Sequence, residues 1–183
     1  MSLDVPDLRD DLIALRPPAD RDIDAITAEV QDPHIPRFTR IPSPYSRADG
    51  EQFVRASAQH WRDGTQAPFV IADAAADAVL GGIGLMRLDD ARAVAEIGYW
   101  VAKAARRRGI ATGAVRLLSR WAVLDLGIGR LELMTRVDNV ASQGVAAAAG
   151  FVREGMLRSY ATIGCGVADV VMFSLVPSDL GDH

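Results

Sequence analysis

The segment from Glu96 to Thr112 reads Glu-Ile-Gly-Tyr-Trp-Val-Ala-Lys-Ala-Ala-Arg-Arg-Arg-Gly-Ile-Ala-Thr. Its first six residues are mostly apolar or aromatic, which is typical of a β-strand. Three consecutive arginines and a glycine follow, and a helical pattern of apolar residues then runs from Ala111 to Leu126. The segment therefore predicts a strand, a positively charged turn and a long helix in direct succession.

The turn of this segment has the composition of an anion-binding site. The small residues Gly109 and Ala111 let the backbone approach a ligand closely. The first turn of the following helix offers unpaired N–H groups and the positive end of the helix dipole, which suit a pyrophosphate. Arg106, Arg107 and Arg108 would add charge-assisted hydrogen bonds to phosphate oxygens. A solvated basic loop that ends in a glycine remains the alternative interpretation of this pattern.

The composition limits the class of protein further. The chain has 183 residues, 49% hydrophobic and 24% charged, which predicts one domain over residues 1–183 with a core from about residue 12 to residue 176. The formal net charge of −4 argues against a nucleic-acid partner. No apolar run approaches the roughly 18 residues of a membrane span, and the N-terminus lacks the apolar region of a signal peptide.

Cysteine and histidine usage bears on compartment and metal binding. The single cysteine, Cys165, excludes an intramolecular disulfide and indicates a reducing environment. The three histidines are scattered, and no Cys/His spacing suits a metal ion. We therefore expect a cytoplasmic protein that binds no metal and no membrane.

The order of predicted elements is β-α-α-β-β-β-α-β-α-β-β, about seven strands and four helices. Three consecutive strands predict an antiparallel meander, and the later strand–helix–strand unit predicts parallel neighbours, so the fold class is α+β with a mixed sheet. Four prolines between residues 31 and 45 exclude one regular element there. The predicted strands are 12–16, 67–72, 79–87, 93–101, 131–137, 151–157 and 167–176; the helices are 20–30, 111–126, 140–149 and one between Ser46 and Gly64; turns are expected at 73–77 and 88–91.

The segment contains neither G-x-G-x-x-G nor the Gly-Lys-Ser/Thr of a P-loop, so its phosphate ligand is predicted to be neither NAD nor ATP. Instead, Arg106-x-x-Gly109-x-Ala111-Thr112 resembles the pyrophosphate-binding motif of the GNAT acyl-CoA N-acyltransferases. The resemblance covers nearly the whole chain. In detail, the sequence is similar to the RimJ/RimL branch of the family, which acetylates ribosomal-protein N-termini. The further motifs that carry it are Glu96-Ile-Gly-Tyr-Trp-Val101, Asn139-x-x-Ser142, Gly150-Phe151, Glu154-Gly-x-x-Arg158 and Asp169-Val-Val-Met-Phe-Ser174.

The resemblance implies acetyl-CoA as the acetyl donor and a primary amine as the acceptor, and it allows a homodimer. In such a fold, backbone groups near Trp100 and Val101 would bind the pantetheine amides, and Asn139 would contact the same arm. The pyrophosphate would be held at the turn and the start of the helix, by Arg106, Arg107, Arg108, Gly109, Ile110, Ala111 and Thr112.

The resemblance also implies two catalytic candidates. Glu96 would remove a proton from the amine, directly or through water, and the N–H of Val101 would stabilise the developing oxyanion. Many family members place a tyrosine seven residues after the asparagine, but here that residue is Ala146. Ser142 would therefore assist the departing thiolate. The alternatives are a salt-bridged strand glutamate at position 96 and a helix cap at position 142.

Three functions fit these patterns. The first is a RimJ/RimL-like N-acetyltransferase for a protein N-terminus or a small amine. The second is an antibiotic- or polyamine-directed acetyltransferase, because one fold serves many acceptors. The third is a non-catalytic CoA-binding regulator, which the missing tyrosine favours. The sequence does not identify the amine; the residues expected to border its groove are Arg37, Phe38, Arg40, Tyr45, Trp61, Trp100 and Tyr160.

Overall fold

The computed structural model describes residues 3–89, 93–164 and 166–181. Its eight strands form one sheet in the order β1-β2-β3-β4-β5-β6-β8-β7. The turn predicted at 88–91 lies partly outside the described residues, and Cys165 lies wholly outside them. The strands are β1 Leu8–Arg9, β2 Ile13–Arg16, β3 Ala67–Asp73, β4 Val79–Asp89, β5 Val94–Val101, β6 Arg130–Arg136, β7 Val152–Ile163 and β8 Gly166–Leu175.

Five α-helices accompany the sheet: α1 Ile23–Glu29, α2 His34–Phe38, α3 Arg47–Asp63, α4 Ile110–Leu124 and α5 Val140–Ala148. The predicted ends of α3 are confirmed. The Ser46 hydroxyl accepts the Asp49 N–H, and the Asp49 carboxylate accepts the Ser46 N–H in return, which is a capping box. At the other end, Gly64 takes the left-handed conformation that stops a helix.

The mixed sheet predicted from the sequence is confirmed. Strands β1 to β5 are antiparallel neighbours, β5 and β6 are parallel, and β6, β8 and β7 are again antiparallel. The strand count is eight rather than about seven, because the two-residue strand Leu8–Arg9 is too short to leave a pattern of alternation. The helix count is five rather than about four, because the proline-rich segment contains α2.

The helices cover both faces of the sheet. The largest apolar cluster packs α4 against the sheet through Ala114, Val115 and Leu118, all of which are fully buried. A second cluster packs α1 and α2 on strand β3 from the opposite face, with Ile26 and Ile35 at its centre. Both faces of the sheet are therefore apolar and protected.

The hairpin of β7 and β8 is longer than the two terminal strands predicted from the sequence. Strand β7 continues past residue 157 to Ile163 with an irregularity between Leu157 and Ala161. The N–H of Ser159 donates to the Asp169 carboxylate across the pair at 2.7 Å, which holds the irregular part in register. Among the described helices, none is long and apolar enough to cross a membrane.

Candidate active site

Strands β5 and β6 separate along their length. Their parallel pairing covers only Val94, Ala95 and Glu96, which face Arg130, Leu131 and Glu132. Beyond Glu96, strand β5 stays paired with β4 on its other side up to Val101. An opening therefore runs between β5 and β6 from Glu96 toward the N-terminus of α4.

The backbone groups that face this opening follow from the pairing with β4. The Ala102 N–H donates to the Leu80 carbonyl at 2.8 Å, and hydrogen-bonding direction alternates along a strand. The Trp100 backbone is accordingly paired with Gly82, whereas the N–H and C=O groups of Tyr99 and Val101 are turned to the opening. Of the two predicted pantetheine contacts, the Val101 backbone lies at the opening, whereas the Trp100 backbone is hydrogen-bonded to β4. Trp100 nevertheless lines the cavity that is described next.

A cavity of about 1080 Å³ occupies the opening and extends over the face covered by α1, α2 and α3. It is lined by most of the residues predicted to bind the cofactor. These are Trp100, Val101, Arg106, Arg107, Gly109, Ile110, Ala111, Thr112 and Asn139. Ser142, which was predicted to be catalytic, lines the cavity as well.

The N-terminus of α4 points its free backbone amides into this cavity. Gly109 precedes the helix with a positive φ of 78°, a conformation that strains other residues. A Cβ added at this glycine would meet no atom within 4 Å, so the space in front of the backbone is open. The amides of Ile110, Ala111 and Thr112 belong to the first turn and have no intrahelical acceptor. This end of the helix has the geometry of an anion site.

The three consecutive arginines differ in their surroundings. Arg106 donates from Nε to the Val101 carbonyl at 3.1 Å and forms an ion pair with Asp32 at 2.7 Å, so its guanidinium is fixed within the protein. The His34 amide and Arg106 together hold the pKa of the Asp32 carboxyl below its usual value. Arg107 is exposed and lines the cavity, whereas Arg108 is exposed outside its lining.

A phenol that the sequence did not single out lies beside Ser142. The hydroxyl groups of Tyr99 and Ser142 are 2.8 Å apart, and both residues line the cavity. Burial raises the pKa of Tyr99 to about 12, so this phenol keeps its proton at neutral pH. The predicted alternative role of Ser142 as the helix cap falls instead to Asn139, whose Oδ1 accepts the Ser142 N–H at 3.1 Å.

Glu96 is buried and paired with two arginines. Only 5% of the residue is exposed. Its Oε1 accepts from Arg40 Nη1 at 2.9 Å, and its Oε2 lies 3.3 Å from Arg87 Nε without a hydrogen bond of good geometry. Side chains alternate across a strand, so Glu96 and Tyr99 point to opposite faces of β5. The structure thus brings Tyr99 and Ser142 together, and it places Glu96 on the other side of the same opening.

The comparisons with known proteins agree with this geometry. Residues 13–152 match the family model of the acetyltransferase (GNAT) domain. The chain belongs to the GNAT acetyltransferase family. YdaF of Bacillus subtilis, which carries the name of a ribosomal N-acetyltransferase, is 36% identical over 96 residues, 52% of this chain and 52% of YdaF. The chain therefore matches only about half the length of this relative.

Two further proteins define the branch of the family that this chain resembles. The ribosomal-protein-serine acetyltransferase of Escherichia coli is 29% identical over 100 residues, 55% of this chain and 56% of that enzyme. The structure of Mycobacterium smegmatis RimJ in complex with CoA-disulfide superposes with a TM-score of 0.86 at 24% identity, and the match covers 97% of this chain and 89% of RimJ. The fold is therefore that of RimJ.

Proposed function

We propose that this chain is an N-acetyltransferase that transfers the acetyl group of acetyl-CoA to a primary amine, which is a protein or peptide N-terminus or a small amine. The observation that carries the proposal is the opening between β5 and β6, which begins beyond Glu96 and leads through one cavity to the N-terminus of α4. The family, the ribosomal-protein acetyltransferases among its relatives and the CoA compound bound to RimJ support the same activity.

The residues at the opening fit a coenzyme A molecule. The free amides of Ile110, Ala111 and Thr112, with open space in front of Gly109, suit a pyrophosphate. Arg107 adds a cationic side chain at the cavity, while the contributions proposed for Arg106 and Arg108 would require their side chains to move. The outward-facing backbone of Tyr99 and Val101 suits the pantetheine amides as an added strand would, and Asn139 and Trp100 line the same path.

Acetyl transfer needs a neutral amine, a polarised carbonyl and a proton for the leaving sulfur. Bound acetyl-CoA supplies the thioester, whose carbonyl carbon forms the new C–N bond as the C–S bond breaks. The Val101 N–H is turned to the opening and is the proposed donor to the carbonyl oxygen. Ser142 is the proposed donor to the sulfur, and its hydroxyl is already oriented by Tyr99.

Glu96 is the proposed base that takes the proton from the attacking amine. Its Oε2 has no hydrogen-bond partner among the described residues, so a lone pair is available for an N–H or a water molecule. The residue lines neither cavity, because Arg40 and Arg87 lie between its carboxylate and the solvent. We therefore propose that the proton reaches Glu96 through a water molecule rather than by direct contact.

The experiment that tests this function measures free thiol release from acetyl-CoA with a panel of amines: short peptides with free N-termini, aminoglycosides and polyamines. Turnover of at least one amine, with mass-spectrometric detection of the acetylated product, is the expected result. Acetyl-CoA binding without turnover of any amine would replace the proposal by the second candidate function, a CoA-binding regulator. Ala146, which stands where many family members have a phenol, is the observation in favour of that candidate.

A further inference from the structure

A second cavity, of about 620 Å³, adjoins the first at Arg40 and Met134. Its polar side chains carry guanidinium or hydroxyl groups, all of which can donate hydrogen bonds, and the described residues of its lining include no carboxylate. The lining consists of Arg40, Arg87, Met134, Tyr160, Ala161, Thr162 and Gly164. The wall rich in donors favours a ligand rich in acceptors.

The two arginines of this cavity carry more positive charge than their shared carboxylate partner can neutralise. Arg40 and Arg87 both pair with Glu96, which is almost fully buried behind them, whereas 40% and 65% of the arginine side chains are exposed. Among the described residues, two guanidinium groups face one carboxylate here, which leaves one positive charge at the cavity. Because Arg87 Nε makes no well-formed hydrogen bond to Glu96 Oε2, the Glu96 carboxylate leaves part of the donor capacity of Arg87 unused.

A second group of charges on the same side of the molecule has the same imbalance. Arg37 and Arg136 share Asp138, at 3.0 Å each, and both hold the pKa of that carboxyl below its usual value. Arg37 lies on α2, whose backbone is in close contact with Gly164 of the cavity wall. Among the described residues of these two groups, four guanidinium groups face two carboxylates. The positive potential therefore extends beyond Arg40 and Arg87.

We infer that the amine acetylated by this protein carries a carboxylate close to its amino group, and that Arg40 and Arg87 bind this carboxylate in the second cavity. The inference rests on the proposed function and adds the chemical class of the acceptor. Guanidinium groups bind carboxylates through paired hydrogen bonds, and the wall supplies no described carboxylate for a polycation. The acceptor class is therefore an acidic peptide N-terminus or an acidic amino acid, and polyamines are excluded.

The test compares acceptors that differ in one charge. C-terminally amidated peptides with Asp, Asn or Lys as the second residue, free aspartate and spermidine are each assayed for thiol release from acetyl-CoA. The expected result is a kcat/KM at least about tenfold higher for the Asp peptide than for the Asn peptide, and lower still for the Lys peptide and spermidine. Free aspartate distinguishes a small acceptor from a peptide. Equal rates for the three peptides, or a preference for spermidine, would overturn the inference and leave the acetyltransferase function intact.

Variants connect the preference to the cavity. Arg87→Gln should lower the preference for the Asp peptide over the Asn peptide about tenfold, through a rise in KM for the Asp peptide, beyond any change in kcat that both peptides share through Glu96. Arg87→Lys should partly restore the preference. Arg120→Gln, a change of an exposed arginine on α4 outside both cavity linings, is the matched control. A uniform loss of kcat for all acceptors would instead assign Arg87 to Glu96 alone and overturn the inference.

Equilibrium binding of the same peptides to the protein saturated with CoA gives a readout that does not depend on turnover. Tighter binding of the Asp peptide, lost in Arg87→Gln, supports the carboxylate site even if no amine is acetylated. In that case the proposed acetyltransferase function would be refuted, and the carboxylate site would stand. Binding that ignores both the peptide charge and the variant refutes the carboxylate site.

Discussion

The hydroxyl oxygens of Tyr99 and Ser142 lie 2.8 Å apart, although the residues come from strand β5 and helix α5, 43 positions apart in the chain. Asn139 holds Ser142 from the other side, because its Oδ1 caps the helix at the Ser142 N–H. Tyr99 thus holds the hydroxyl of the serine, and Asn139 holds its backbone. Burial keeps the Tyr99 phenol protonated, so it can donate to Ser142 whenever the serine proton is engaged elsewhere.

This contact predicts that Tyr99 and Ser142 act as a unit in the proposed reaction. Ser142→Ala should lower kcat by about tenfold to a hundredfold, and Tyr99→Phe by about tenfold, because each removes a link of the same hydrogen-bond chain. The KM for acetyl-CoA should change little. Thiol release by the two single variants and the double variant gives the coupling.

The double variant decides the matter. If Tyr99→Phe has no further effect once Ser142 is alanine, the two hydroxyls share one role. Effects that multiply would show that the phenol acts separately from the serine. Ser57→Ala, which removes a buried hydroxyl on α3 outside both cavity linings, is the control for loss of a hydroxyl group.

The phenol of Tyr99 also predicts a dependence of stability on alkaline pH. Its pKa of about 12 in the folded protein is above the ordinary value of 10, so the folded state binds the proton more tightly than the unfolded chain. Its contribution is complete below pH 10 and is lost as the pH rises from 10 through 12. Urea unfolding across this range should show that the wild type loses up to about 3 kcal/mol more than Tyr99→Phe. Parallel curves for the two proteins would contradict the burial of the phenol.

Two glycines at opposite ends of α4 allow a matched test of the anion site. Gly109 and Gly127 both have a positive φ, and an added Cβ meets nothing within 4 Å at either position. Alanine at each site should therefore cost a similar amount of stability, about 1 kcal/mol. Only Gly109→Ala should also weaken CoA binding, by about tenfold or more, as measured by calorimetric titration. An equal loss of binding in both variants would point to a general effect on the helix.

Neighbouring arginines provide a second matched pair. Arg107→Gln should weaken CoA binding about fivefold to tenfold and reduce its dependence on salt, because this side chain lines the cavity. Arg108→Gln removes the same charge from the adjacent residue, which lies outside the cavity lining, and should change binding by less than about twofold. If Arg108→Gln has the larger effect, the turn changes conformation when CoA binds.

The sequence predicted those elements whose signals are local. The cap at Ser46, the stop at Gly64 and the helix after Gly109 depend on neighbouring residues, and the structure agrees at each. Helix α2 was missed because Pro36 argues against a helix, but this proline occupies the first turn, where its missing N–H would have no partner in any case. The extension of β7 was missed because a polar stretch around Ser159 interrupts the pattern, and a contact with Asp169 compensates for it.

The candidate site was predicted less completely than the fold. The family motifs identified the turn at Gly109 and the residues Asn139 and Ser142, because these lie in short segments of fixed spacing. The partners of these groups come from distant segments, and no periodicity encodes them: Tyr99 beside Ser142, Asp32 beside Arg106, and Arg40 and Arg87 beside Glu96. A signal for Tyr99 did exist, since alternation along β5 places its side chain opposite to that of Glu96.

The pairing between β5 and β6 is shorter than any other between β2 and β8, so the two halves of the sheet are only weakly joined at its centre. Three residue pairs, at Val94, Ala95 and Glu96, join the two halves at one end, and the other end is open. A coenzyme lying along Tyr99 and Val101 would therefore act as a removable ninth strand that ties the halves together. The amide protons of Tyr99 and Val101 should exchange with solvent quickly in the free protein and slowly once the coenzyme is bound. Hydrogen exchange would therefore measure how much the bound coenzyme stabilises the centre of the sheet.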